Sequence, residues 1–357
     1  MQVSWGPQHP ASGHLRFILD VDGDSVLNLE PDVGYTHRGI EKLTENRTYL
    51  QNIPVVERIN SYCDATNTVL GYIEVVEELL ECEVPERARF IRVIMAEMNR
   101  IASHLYWLCL MSISVGFETM LMWTMNEREL FLDLFEMITG ARITYSALRP
   151  GGVRYDIPHG FEEVATKYLN HFERRLKDYY KMIFENSTFR LRTIGVGSIS
   201  SSDAIKLGLV GPCLRASGVA TDVRKDEPYE VYQNFDFNIP VEKAGDAYAR
   251  SLIRFHEMEE SVSIIRQALR SIPEGPIRKR VPLVVPKGEA YSRVEAARGE
   301  LGYYLVANGT DKPYRLKVST PSFRNMAALP YITRNVTIAD IPAIYMSLDL
   351  IPLDIDR

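Results

Sequence analysis

The apolar positions of this chain follow two periods. In "HLRFILDVDGDSVLNLEPDVGY", residues 14–35, they alternate on either side of Asp22-Gly23-Asp24, the pattern of a hairpin with a tight turn. From about Glu41 the pattern turns helical. "VPERARFIRVIMAEMNRIASHLYWL" sets Ile91, Ile94, Met98, Ile101, Leu105 and Leu108 three and four residues apart, which predicts one long helix entered at Pro85 and Glu86. "NERELFLDLFEMITGAR" repeats the form with Leu130, Phe131, Leu134, Phe135 and Ile138, and stops at Gly140. Two more segments of the same kind are "HGFEEVATKYLNHFERRLKDYYKMIFEN" and "AGDAYARSLIRFHEMEESVSIIRQALRSI", the second ended by Pro273 and Gly275. A Gly- and Ser-containing stretch, 195–240, separates them. Beyond residue 276 short strands return, as in "AYSRVEAARGELGYYLVANG", with Asn308-Gly309 as a turn.

These elements predict an α+β fold: a long-helix bundle with β elements contributed by both ends. The divisions expected are an N-terminal β subdomain over 1–40, the bundle over 41–275, and C-terminal β elements with a buried end over 276–357. The end itself, "YMSLDLIPLDIDR", poses a problem. Leu348, Leu350, Ile351, Leu353 and Ile355 belong in a core, yet Asp349, Asp354 and Asp356 lie among them and Arg357 follows. Buried aspartates are costly unless paired or coordinating something.

Charge and composition remove several function classes. The net charge of −6 argues against a nucleic-acid partner. The longest uncharged apolar run, Leu105 to Phe117, is 13 residues, too short to span a bilayer. No secretory signal is expected at the start. The four cysteines (Cys63, Cys82, Cys109 and Cys213) include no C-x-x-C pair, so no private zinc or iron–sulfur site is expected. If the protein handles electrons, a partner holds the metal.

Five strings occur in order along the chain: "WGPQHPASGHLR", "GYTHRGIEKLTENRTYLQ", "ITGARITYSALRPGGVRYDIP", "GLVGPCLRASG" and "SRVEAARGELG". Together they resemble the 49 kDa-type subunit of respiratory complex I and its relatives, a group related to the large subunit of nickel–iron hydrogenases. The resemblance runs from Gly6 to Arg357 and implies the hydrogenase-like bundle with β edges. In hydrogenases the metal is held by cysteines in an R-x-C-x-x-C motif and a terminal D-P-C-x-x-C motif. Those positions fall here on Asn60, Cys63, Ile351 and Asp354, leaving one thiolate of four. Nickel–iron chemistry needs soft thiolates, so no metal is expected on this chain.

The resemblance implies instead a quinone-site subunit of an NADH:quinone oxidoreductase or F420H2 dehydrogenase-type translocase. It would lie on the cytoplasmic face of the membrane without entering the bilayer. The substrate would be a quinone or methanophenazine-like carrier, and the electrons would come from a 4Fe-4S cluster in an iron–sulfur small subunit. Other peripheral-arm subunits and membrane-embedded subunits are the further partners implied. Two departures from the family, at Ser114 and Thr144, point to archaeal or coenzyme-F420-dependent branches. Alternatives are a hydrogenase- or sulfur-reductase-type subunit with a residual metal centre, and a non-catalytic scaffold.

Residue roles follow from the same resemblance. His14, in a β-turn one residue shorter than the family's, would donate to the carrier headgroup, with His9 beside it. The family tyrosine falls on Ser61 by strict counting, or on Tyr62 after a one-residue bulge. Cys63 and Ile351 would line the ring. Ser114 stands where the family places an aspartate beside the turn histidine. Glu118, one helical turn on, either substitutes for that carboxylate or serves as a cap or arginine partner. Arg58, Arg142 and Thr144 would lie near the partner's cluster. Arg87, Arg89, Arg92 and Arg100, off the apolar stripe of their helix, are expected to include docking contacts for neighbouring subunits.

Overall fold

The computed structural model describes residues 1–9 and 13–357. Strands β1 (Gln2–Trp5), β2 (Arg16–Asp22) and β3 (Ser25–Asp32) form an antiparallel sheet in that order. β2 buries Phe17, Leu19 and Val21 and turns the alternate residues outward, as a period of two requires. The expected tight turn joins Asp22 to Ser25, with Gly23 at a φ of 61°.

The expected long helices form. Glu86–Ser114 is the central one, and Thr119–Thr139, Ala247–Ser271 and Ala65–Leu79 pack against it. Gly140 ends the second helix in the left-handed conformation, where a Cβ would be strained. Phe161–Tyr179 runs on through a π-helical turn, Tyr180–Phe184. Asp246 caps Ala247–Ser271 by accepting from the Ala249 amide. The Ala65–Leu79 helix is the one periodicity does not disclose. It is buried on nearly every side, between the bundle and the C-terminal sheet, so it carries no apolar stripe against a polar face.

β6 (Gly288–Ala296), β7 (Gly299–Ala307) and β8 (Pro313–Ser319) make a second antiparallel meander, and Asn308-Gly309 lies in the turn between the last two. A short hairpin, β4 (Leu148–Arg149) with β5 (Gly152–Val153), sits between the bundle helices in sequence. After Ser319 the expectation of strands fails. The chain continues as short helices, ending in Ile341–Leu348 and Pro352–Asp356. Prolines open both, a favoured first-turn position because a helix's first amides need no internal partner. Asp349, at a φ of 55°, makes the corner between them. What reads as alternation in the last residues is therefore two helical turns set in a core.

Among the described residues, no helix is long and apolar enough to cross a membrane.

Candidate functional site

The site lies where five segments meet. β2 brings Phe17 against Tyr345 of the Ile341–Leu348 helix, with ring centroids 5.3 Å apart. Trp107, on the central helix, donates its indole N–H to the Met346 carbonyl at 2.7 Å. The turn at 58–64 carries Tyr62 and Cys63. The connection from β6 to β7 carries Arg298. The terminal corner carries Asp349.

Arg298 sits at the middle of this junction. Its side chain is buried; Nη2 donates to Asp349 Oδ1 and Nε to the Asp349 carbonyl, each at 3.1 Å, and Nη1 to Ser103 Oγ at 3.2 Å. Its position depends on a close backbone approach. Gly299, at a φ of 124°, lies against Gly211, where a Cβ would stand 2.7 Å from the Gly211 amide nitrogen. Two of the quoted strings, "GLVGPCLRASG" and "SRVEAARGELG", thus touch glycine to glycine.

Tyr62 is half-buried and meets Tyr106 edge to face, with centroids 5.4 Å apart. Its carbonyl accepts from Arg128 Nη2 at 2.6 Å, and the Arg128 guanidinium lies over the Tyr106 ring. Burial raises the Tyr62 pKa well above the ordinary phenol value. Neighbouring Cys63 and Tyr106 push the same way and Arg298 pulls against them. Tyr106 is pushed up to about 12, chiefly by burial. Cys63 is almost wholly enclosed, and burial lifts its thiol to about 12 despite the opposing charge of Arg298. It is a neutral, small, apolar group at neutral pH. At this junction Asn60 Oδ1 has no hydrogen-bond partner among the described residues, and Asp349 Oδ2 faces Arg254 Nε at 3.9 Å, an ion pair beyond hydrogen-bond reach. Buried polar atoms of this kind are places where water or a ligand is held.

The terminal acids now have an explanation. Asp349 pairs with Arg298. Asp354 accepts from the Ser322 amide at 3.0 Å, and burial raises its pKa. The Asp356 carboxylate accepts from the Gly34 and Thr36 amides and the Thr36 hydroxyl, each at 2.8 Å. Arg357 meets Glu41 at 3.3 Å. Arg38 then ties three segments together: Nη2 donates to the Leu353 carbonyl at 2.7 Å, Nη1 to the Arg58 carbonyl, and Nε to the Thr36 carbonyl at 3.1 Å. The buried end is a clamp that joins the loop after β3 to the turn bearing Tyr62.

The sequence-predicted residues fall into three groups. Ser61, Tyr62, Cys63 and Ile351 stand on the segments that form this junction; Ile351 is buried and its amide donates to Ser322 Oγ at 3.4 Å. His9 and His14 are exposed on the β1–β2 turn. Pro10, Ala11 and Ser12 of that turn lie outside the described residues. His9 packs edge-on to Trp5, and at Gly13 a Cβ would lie 3.7 Å from Pro352 Cγ, so the turn reaches the terminal segment. Ser114 and Glu118 form the other group. Ser114 donates to the Met111 carbonyl of its own helix at 2.7 Å. Glu118 is exposed at the residue preceding the Thr119–Thr139 helix, and the interactions joining Tyr62, Cys63, Arg298 and Asp349 do not include it. An exposed, hydrated carboxylate gives little support to its standing in for an acid beside His14.

The residues expected near a partner's cluster gather around one loop. Buried Glu57 accepts from the Ser146 amide and hydroxyl at 2.8 Å and lies 3.6 Å from Arg58. Thr144 and Ser146 both take positive φ, 60° and 43°, so this loop is held in a conformation non-glycine residues seldom adopt. Arg142 turns back to Asp133, Glu136 and Glu129, so its charge is largely answered within the chain. Of the four helix arginines, Arg92 and Arg100 are fully buried, paired with Glu77 and Glu230 and with Glu97. Arg87 pairs with Asp156 and Arg89 with Glu230. The docking expectation is corrected for Arg92 and Arg100, because their helix is enclosed on all sides rather than along one stripe. Among the described residues, no group of three or more His, Cys, Asp or Glu side chains stands in a metal-holding arrangement.

Comparison with known proteins places the chain in a family. A family described as "Respiratory-chain NADH dehydrogenase, 49 Kd subunit" matches residues 114–285 and 280–357. A relative in Clostridium beijerinckii, named as an NADH-quinone oxidoreductase subunit, is 46% identical over 100% of this chain and 97% of its own length. The chain belongs to this 49 kDa subunit family. Another member, an F(420)H(2) dehydrogenase subunit of Methanosarcina mazei, is 45% identical over 100% of this chain and 98% of its own. Among solved structures, a chain of the membrane-bound sulfane sulfur reductase, an archaeal respiratory membrane complex, superposes with a TM-score of 0.97. It is 39% identical and covers 100% of this chain and 98% of that one. The family's sequence motifs led to Tyr62 and Cys63. They also contained Arg298 and Asp349, whose partnership sequence reasoning missed because it spans the β6–β7 turn and the terminal corner. Tyr106 sits inside the long central helix, off its apolar stripe, and carried no signal.

Proposed function

We propose that this chain is the acceptor-site subunit of a membrane-associated oxidoreductase complex, and that the junction around Tyr62 receives the head of a quinone or methanophenazine-like carrier. The observation that carries this is the placement of a protonated phenol, Tyr62, beside an enclosed charged pair, Arg298 and Asp349, with the histidine-bearing turn against the same terminal segment. Conversion of a quinone to a quinol takes two electrons and two protons. A 4Fe-4S cluster in an iron–sulfur small subunit near Arg58 and the 141–146 loop would supply the electrons. Tyr62 donates a hydrogen bond, then a proton, to one carbonyl oxygen; His14, on the turn, donates the second proton to the other oxygen, and both groups regain their protons from solvent. Arg298 stabilises negative charge developing on the oxygen near it. Tyr106, Cys63 and Ile351 supply apolar wall for the ring. The chain sits peripherally on the cytoplasmic face, against membrane-embedded and other peripheral-arm subunits.

The likeness to the sulfane sulfur reductase favours a second acceptor class, a sulfane chain reduced at the same junction. Acceptor assays on the purified complex separate the two. Turnover with a menaquinone or phenazine analogue and none with polysulfide supports the carrier; the reverse result replaces it. Elemental analysis of the same preparation is expected to give no stoichiometric nickel.

A further inference from the structure

A concavity lies away from the Tyr62 junction, and we infer that it is the docking groove for an acidic and apolar segment of a partner subunit. The groove has a volume of about 930 Å³. Its floor and walls are apolar, with Leu283 and Val284 65% and 51% exposed and Leu50 37% exposed. Exposed apolar groups collected in one hollow mark an interaction surface, whereas single ones scattered over a protein do not. Its rim is cationic. Arg149, Arg278, Lys279 and Arg280 line it against one acid, Asp311, on a chain whose net charge is −6. That local reversal of sign fits a negatively charged occupant.

The backbone beside the hollow also offers bonds to an occupant. Residues 277–279 pair with the β4–β5 hairpin: Val153 donates to the Ile277 carbonyl at 3.0 Å and Lys279 to the Gly151 carbonyl at 2.7 Å. The chain is next tied at Val285, which donates to the Thr310 carbonyl at 3.2 Å. Between these ties, residues 280–284 belong to no helix or strand, and their main chain makes no backbone–backbone bond among the described residues. The main chain of 280–284 bends at Leu283 and Val284 and lacks an amide hydrogen at Pro282, but its remaining amides and carbonyls are unpaired by backbone beside the apolar hollow and can take main-chain bonds from a partner segment whose side chains fill the hollow. A membrane surface is a flat alternative for a basic and apolar segment, but the hollow is concave, and relatives of this chain are named as subunits of larger complexes.

The test is photo-crosslinking in the assembled complex, with p-benzoylphenylalanine placed at Leu283 and the adduct sequenced by mass spectrometry. An adduct to a net-acidic, apolar stretch of a non-identical subunit supports the groove. Adducts confined to lipid or to a second copy of this chain, or no adduct at all, overturn it. A second arm combines Arg278→Glu, Lys279→Glu and Arg280→Glu in the labelled chain. These side chains are exposed, so the fold is expected to persist, checked by an unchanged thermal transition, while crosslink yield falls at least tenfold. An undiminished yield removes the electrostatic part of the inference. Carrier reduction depends on the Tyr62 junction, so failure of this groove leaves that assignment standing, and loss of that assignment leaves the groove.

Discussion

Tyr62 is a phenol whose surroundings favour the protonated form. Burial is the largest cause, and Cys63, Tyr106 and Asp349 add to it, so Tyr62 keeps its proton through neutral and moderately alkaline pH. A carrier oxygen gaining charge needs such a donor. Tyr62→Phe removes the hydroxyl and keeps the ring against Tyr106. Carrier reduction by the complex is expected to fall by about 10²-fold, the low end for a lost acid–base group, with assembly and thermal stability nearly unchanged. Turnover equal to wild type would take Tyr62 out of the donor role and return attention to Ser61. At this scale the sequence was informative where a motif named the residue type and silent where chemistry comes from proximity. The turn bearing Ser61, Tyr62 and Cys63 was legible from the old cysteine motif, which pointed to Ser61 or Tyr62 without deciding between them. The pairing of Arg298 with Asp349 was not, because nothing in a one-dimensional pattern sets two residues 51 positions apart in contact.

The terminal helix Pro352–Asp356 shows the same division among elements. Its burial was legible from apolar density, and the need to satisfy its acids followed from that burial. Its helical form was not, since a five-residue turn is too short to establish a period. The Ala65–Leu79 helix was missed for the opposite reason: enclosure on nearly all sides erases the contrast that marks an amphipathic helix. The terminal helix has a testable mechanical role. Asp356 accepts two amide bonds and one hydroxyl bond from the loop after β3, and Arg38 links that loop to the Arg58 carbonyl, four residues before Tyr62. Asp356→Ala leaves those amides without their partner, which costs roughly 1–3 kcal/mol where the groups stay buried. The expected outcome is a lowered thermal transition, faster proteolysis at the C-terminal end, and reduced carrier turnover. Asp356→Asn keeps an acceptor oxygen and is expected to recover much of the loss. A normal transition and normal turnover in Asp356→Ala would show that the clamp does not position the Tyr62 turn.

At the scale of the whole molecule, the bundle is organised around buried charge. Glu97 accepts from Arg100 at 3.1 Å, from Arg224 at 3.1 Å, and from Tyr232 and Ser261 at 2.6 Å. Arg215 continues the network to Glu257 and Glu295, and His104 Nε2 donates to the Glu257 carboxylate at 2.8 Å. The order of the four long helices was legible from periodicity, but this centre was not: Glu97 and Arg224 are 127 residues apart and His104 and Glu257 are 153 apart. On the sequence, Arg92 and Arg100 looked like surface arginines because a stripe analysis assigns every polar position of a helix to solvent. Burial by itself would raise the pKa of Glu97; Arg100 and Arg224, with the two hydroxyl donors, outweigh it and hold the carboxyl at about 2, below its ordinary 4.5. A depressed carboxyl pKa contributes stability that is present above the unfolded value and is lost as pH falls through the folded one. Glu97 therefore stabilises the fold fully above about pH 4.5, and that contribution disappears towards pH 2. Glu97→Gln leaves Arg100 without its carboxylate and Arg224 with Asp222 alone, and removing one partner of a buried pair costs roughly 3–5 kcal/mol. Denaturant midpoints of the wild type and the variant are expected to lie far apart at pH 6 and to converge as the pH falls from 4.5 towards 2. Glu295, whose carboxyl is pushed up to about 7, chiefly by burial and next by the charge of Asp222, is already protonated across that acid range. A gap that stays constant over that acid range would show that Glu97 supports the centre by shape and hydrogen bonding instead of by its charge.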